Sequence, residues 1–193
     1  MQPLIDNART FGRRPEEFAR LADGQSPQVL FITCSDSRVV PALITGARPG
    51  ELFELRTAGN IVPAHATDRP CGETATIEYA VQVLGVRDIV VCGHSHCGAV
   101  GALVRGDDLD AVPAVRDWLA HAADAPSAAD PADPTVSEAV QGHVLTQLLR
   151  LRSYPCVEER LSTGQLRLHG WYYEVHTGRV HEHRTATDSF EAL

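Results

Sequence analysis

At 193 residues, 44% hydrophobic and 22% charged, the chain is long enough for one folded domain with a substantial core. Its formal net charge of -8 removes the counterion-release affinity that binding to phosphate backbones requires, which argues against nucleic acid as a partner. No apolar run approaches the roughly 20 residues needed to cross a bilayer, and Met1-Gln2-Pro3-Leu4-Ile5 lacks the apolar stretch of a signal peptide. The expectation is a cytoplasmic protein with no membrane partner, folded as a single domain over residues 1–193. Five cysteines with no Cys-x-x-Cys then suit metal binding or catalysis better than disulfides.

The first residues, about 1–22, read as a helical arm in two pieces. Leu4, Ile5 and Ala8 share one face, and Pro15-Glu16-Glu17 starts a second piece carrying Phe18, Ala19 and Leu21. Gly24-Gln25-Ser26-Pro27 breaks the pattern. Val29-Leu30-Phe31-Ile32-Thr33 is the uninterrupted apolar run of a strand buried on both faces, and it leads straight into Cys34. Ser37 to Thr45 reads as a helix, Leu52 to Arg56 as a second strand, and Ala58-Gly59-Asn60 as a turn. A helix opens at Gly72-Glu73-Thr74, carries Ile77, Ala80, Val81 and Leu84 on one face, and stops at Gly85. Asp88 to Cys92 is a third buried strand and delivers Gly93-His94.

Residues 122–136, rich in Ala, Asp and Pro, read as a polar loop rather than a domain boundary. A long helix over about Ser137 to Ser153 follows, with Val140, Val144, Leu148 and Leu151 on one face. Leu166 to Val175 is a fourth strand, and Gly178 turns the chain into a last one, Arg179 to Arg184. The alternation predicts an α/β fold: a central, mainly parallel sheet of about four parallel strands plus an antiparallel edge strand, flanked by helices. The ends of the first and third strands are where open α/β sheets place their sites.

Chemistry gathers at those two ends. Cys34 opens Cys34-Ser35-Asp36-Ser37-Arg38, and Gly93-His94-Ser95-His96-Cys97-Gly98 follows the third strand. Cys34, His94 and Cys97 offer two thiolates and an imidazole, the donor types of a zinc site that keeps its fourth position open. The plainer alternative is two buried cysteines packing as small apolar residues and a satisfied core histidine. A carboxylate at Asp36 could orient a metal-bound water, with Arg38 holding it through a forked pair; a helix cap is compatible with that role. His96 is a candidate proton shuttle or a turn residue facing away. Cys92 reads as core, Cys71 and Cys156 as ordinary thiols, and His181-Glu182-His183 as an exposed edge strand rather than a second metal site. No dinucleotide or Walker loop is present.

Cys34-Ser35-Asp36-Ser37-Arg38, Arg56-x-x-x-Asn60 and Gly93-His94-Ser95-x-Cys97-Gly98 together resemble the β-class carbonic anhydrases. The similarity is dense from Gln25 to about Val104 and continues to about Gly178. It implies one zinc ion per chain on Cys34, His94 and Cys97, a catalytic dyad of Asp36 and Arg38, and reversible hydration of CO₂ to bicarbonate and a proton by a zinc-bound hydroxide. Gln25, Phe53 and Tyr79 are similar to the substrate-pocket residues of the plant-like subclass, in which the glutamine amide bonds the substrate and the rings shape an apolar pocket. The other subclass has a non-catalytic bicarbonate site built with a tryptophan and a glycine where this chain has Phe31 and Thr33. The resemblance therefore implies a resting state with Asp36 on Arg38 and not on zinc. Thr57-Ala58-Gly59 departs from the family's usual loop.

The resemblance also implies that the arm wraps a neighbouring subunit, in a homodimer or a dimer of dimers. Gln25, Phe53 and Tyr79 would then come partly from the partner. Two competing readings keep the metal: a carbonyl sulfide or carbon disulfide hydrolase, and a zinc-stabilised module without catalysis.

Overall fold

The apolar run after Pro27 forms a strand that lies between two others. The computed structural model describes residues 1–11, 18–68, 71–122, 130 and 132–193. In it β1 (Val29–Cys34), β2 (Leu52–Thr57), β3 (Asp88–His94), β4 (Arg167–Tyr173), β5 (Val180–Arg184) and β6 (Ser189–Ala192) form one sheet in the order β2-β1-β3-β4-β5-β6. β2, β1, β3 and β4 are mutually parallel. β5 and β6 continue the sheet antiparallel. The chain leaves β1 toward β2 on one side and returns to β3 on the other, so the strand order reverses between β1 and β3.

Side chains alternate across the sheet. Leu30, Ile32, Ile89 and Val91 pack with Ile77, Val81, Val144, Leu151, Tyr154 and Val157 in the main core. The helices contributing there are α3 (Gly72–Glu78), with the π-helical turn Tyr79–Val83 that continues it, α6 (Ser137–Arg152) and α7 (Pro155–Ser162). The other face carries Phe31, Val90 and Cys92, with Trp171 set edge-on to Phe31. α6 lies directly on β3 beside His94: a Cβ on Gly93 would come within 2.5 Å of Val140 and 2.8 Å of Val144.

The predicted strands match in order and place, and four of them are parallel as expected. Several elements differ. The helix expected from Ser37 is confined to α2 (Pro41–Thr45). Pro41 holds the residue before it extended, with Val40 at φ -125° and ψ 97°, and the Arg38 amide is taken by the Asp36 side chain in a local turn. The helix from Gly72 widens after Glu78, where the Leu84 amide bonds the Tyr79 carbonyl. α4 (Gly98–Arg105), α5 (Pro113–Leu119) and α7 add short helices, and β6 adds a second antiparallel strand beyond the single one expected.

Of the arm, α1 (Gln2–Phe11) and a 3₁₀ turn at Ala19–Asp23 are seen. The second helix start at Pro15-Glu16-Glu17 lies outside the described residues, as does most of the loop expected over 122–136. None of the described helices is long and apolar enough to cross a membrane.

Candidate metal centre

β1 and β3 are neighbours in register, Thr33 beside Cys92, so both deliver their last residues to the same end of the sheet. Beyond His94 the Ser95 amide bonds the Tyr173 carbonyl, the Val175 amide bonds Ser95 Oγ, and the His96 amide bonds the Thr135 carbonyl. His96 turns the chain with φ at +57°, and Cys97 falls just before α4. The ligand atoms of Cys34, His94 and Cys97 consequently lie within 4.8 Å of one another, all three residues buried.

The donors are prepared for a metal. His94 Nδ1 is 2.9 Å from the Ser95 carbonyl, which can only accept, so the ring proton sits there and Nε2 keeps its lone pair. Nε2 is buried without a hydrogen-bond partner, an uncommon state for a buried polar atom. A hydrogen bond from Cys97, helped by the Asp36 and Gly59 amides, holds the Cys34 thiol down at about 4 against the opposing effect of burial. The Cys34 sulfur and burial push Cys97 up. Two thiolates and one imidazole, drawn together at the end of a rigid sheet, fit zinc with one position left open.

Asp36 and Arg38 form a forked pair, Nε to Oδ1 at 2.9 Å and Nη2 to Oδ2 at 2.6 Å. That hydrogen bonding holds Asp36 well below the usual carboxylate range. Asp36 Oδ2 lies 3.9 Å from His94 Nε2, so the carboxylate stands beside the donor set. Arg38 Nη2 also bonds the His96 carbonyl at 3.0 Å, tying the dyad to the second ligand loop.

Gln25, Phe53 and Tyr79 are not brought to Cys34 within one chain. Cys34 is level with Thr57 on β2, and Phe53 is four residues earlier, about 13 Å along the strand. Phe53 and Tyr79 do meet each other, with ring centroids 5.9 Å apart, and Gln25 is exposed. The His96 ring stands against His176 at 6.0 Å. His181 pairs with Glu174 and His183 with Asp188. Cys92 is fully buried, and Cys71 and Cys156 are free thiols.

Two supports were not anticipated. Arg56 spreads its guanidinium over three carbonyls, those of Cys34, Asp36 and Val39, at 3.0, 2.9 and 2.7 Å, clamping the dyad loop. His143 and Gln147 are fully buried on α6, with His143 bonded to the Gly59 carbonyl. The signal for the latter was a polar pair four residues apart within an otherwise apolar helix face.

The carbonic anhydrase family model matches residues 29–180. A carbonic anhydrase of Pseudomonas aeruginosa is 48% identical, over 100% of this chain and 92% of its own length. The solved β-carbonic anhydrase CcaA superposes with a TM-score of 0.91 at 40% identity, covering 100% of this chain and 99% of that one. One of two β-carbonic anhydrases from Sordaria macrospora, described as tetrameric, gives a TM-score of 0.73 at 31% identity, over 94% and 92% of the two chains.

Proposed function

This chain belongs to the β-class carbonic anhydrases, and from that premise we propose how its residues divide the work. It is a zinc-dependent enzyme that hydrates CO₂ reversibly to bicarbonate and a proton. When bound, zinc supplies a Lewis acid that lowers the pKa of a coordinated water toward neutrality.

Cys34, His94 and Cys97 would hold the ion, and their two thiolates neutralise its formal charge, so proton removal needs help. Asp36 gives that help. Kept ionised by Arg38, it can only accept a hydrogen bond. It takes one from the attacking water and so turns a lone pair toward CO₂. Arg38 keeps the carboxylate from swinging onto the metal, and Arg56 holds the loop carrying both.

We assign Gln25, Phe53 and Tyr79 to a substrate pocket completed across a subunit boundary, since within one chain Phe53 lies about 13 Å along β2 from the level of Cys34, with Tyr79 against it. An apolar pocket suits CO₂, which has no net dipole. Two observations support a partner. α1 has no buried residue and exposes Leu4 and Phe11. The sheet face opposite the main core has a cleft of about 690 Å³ lined by Phe31, Val90, Trp171 and Leu52. The arm of one copy covering another, in a homodimer or dimer of dimers, accounts for both. Free cysteines suit a cytoplasmic location.

The observation that carries the reading is the Cys34–His94–Cys97 triangle with an ionised Asp36–Arg38 pair at its side. Stopped-flow CO₂ hydration on zinc-loaded protein tests it. Asp36→Asn is expected to keep its zinc and lose about 10²-fold or more in rate; Cys97→Ser should lose both zinc and rate. Zinc-loaded protein that fails to hydrate CO₂ in neutral and mildly alkaline buffer would refute the mechanism and turn attention to carbonyl sulfide and carbon disulfide.

A further inference from the structure

The Cys34 sulfur accepts a hydrogen bond from the Gly59 amide at 3.3 Å. That amide belongs to a turn, Ala58–Asn60, gripped from several sides. Gly59 has φ at +72°, and a Cβ there would meet Ala99 Cβ of α4 at 3.0 Å. The indole N–H of Trp118 on α5 donates to the Ala58 carbonyl at 2.9 Å, the other end of the same peptide unit that faces the sulfur. On the far side, His143 Nε2 of α6 lies 2.8 Å from the Gly59 carbonyl.

The proton on His143 can be located by elimination. The Val62 amide can only donate, so the Gln147 atom 2.8 Å from it is Oε1. Gln147 therefore presents its NH₂ to His143 Nδ1, at 3.4 Å. Nδ1 accepts, and Nε2 carries the hydrogen that goes to Gly59. Burial favours this neutral form. The result is one directed chain, Val62 N–H to Gln147, Gln147 to His143, His143 to the Gly59 carbonyl, with the Gly59 amide aimed at the ligand sulfur.

We propose that His143, oriented by Gln147, is a positioning residue for the metal centre. It locks the Ala58–Asn60 turn so that the Gly59 N–H stays on Cys34 and draws charge from the thiolate, leaving the bound metal more electrophilic. The inference rests on the reading of Cys34 as a ligand. A hydrogen bond to the charged form of a group lowers its basicity, and outer partners of metal ligands typically alter metal affinity or activity 10–100-fold. Trp118 acts on the same peptide from its carbonyl end.

Cobalt(II)-substituted protein provides a readout independent of turnover, the thiolate-to-cobalt charge-transfer band. His143→Ala is expected to move that band to lower energy, because the released thiolate donates more strongly, and to change cobalt affinity roughly tenfold in a chelator competition. His143→Gln, which returns an N–H near the Nε2 position, should restore both. Trp118→Phe, at a half-buried surface ring, should shift the band in the same direction by less, and it decides the matter if His143→Ala does not fold. A band and affinity unmoved in the variants that fold, or a His143→Gln protein behaving like His143→Ala, would overturn the proposal. A parent protein without any thiolate band would instead overturn the ligand reading, and this proposal with it.

Discussion

At the scale of single residues, the site depends on directed hydrogen bonds more than on charge. Arg38 satisfies both Asp36 oxygens and one backbone carbonyl with one planar group. Lysine would keep the charge but not the fork. Arg38→Lys is therefore expected to retain one zinc per chain by metal analysis and to lose roughly tenfold in kcat by stopped-flow; an unchanged kcat would mean that charge alone is enough. Cys34-Ser35-Asp36-Ser37-Arg38 could be read as a unit because its partners are two residues apart. The clamp from Arg56 and the support from His143 could not, because the carbonyls they meet come from distant stretches of chain.

At the scale of elements, the site is placed by how closely α6 approaches β3. Gly93 lets the helix press on the strand directly before His94. Gly93→Ala would drive a methyl into Val140 and Val144 and is expected to cost about 1–3 kcal/mol. Thermal unfolding should register this as a midpoint lower by several degrees, together with weaker zinc binding, because His94 is the next residue. A midpoint matching the parent would show that α6 can shift freely.

β1 and β3 were legible because burial on both faces demands unbroken apolar runs. β6 was not: Ser189-Phe190-Glu191-Ala192 shows one strongly apolar residue and gains its identity from pairing with β5. The helix expected from Ser37 begins only at Pro41, because Pro41 keeps Val40 extended and the Asp36 side chain takes the Arg38 amide.

At the scale of the whole molecule, α1 has no buried residue: Phe11 meets Phe18 of its own chain, with ring centroids 5.0 Å apart, yet Leu4 and Phe11 stay largely exposed. Short isolated helices are marginal in water, and this is the ground for the subunit contact proposed above. Leu4→Asp combined with Phe11→Asp should reduce the mass measured by light scattering to that of one chain. If Gln25, Phe53 and Tyr79 act across the boundary, CO₂ hydration should fall as well. A variant that stays oligomeric and fully active would place the interface elsewhere.

The parallel α/β core, the three donor residues and the Asp36–Arg38 pair are readable from residue order alone, because each is encoded locally, in an apolar run or within a few consecutive residues. The tertiary structure decided which backbone groups point at those donors. It set the Gly59 amide on the Cys34 sulfur, the Ser95 carbonyl on His94 Nδ1 and the Arg38 guanidinium on His96. It also left Phe53 and Tyr79 away from Cys34 in a single chain. Hydrogen bonds to the backbone depend on where the chain returns in space, and every residue type carries the same backbone groups, so residue identity alone gives no sign of them.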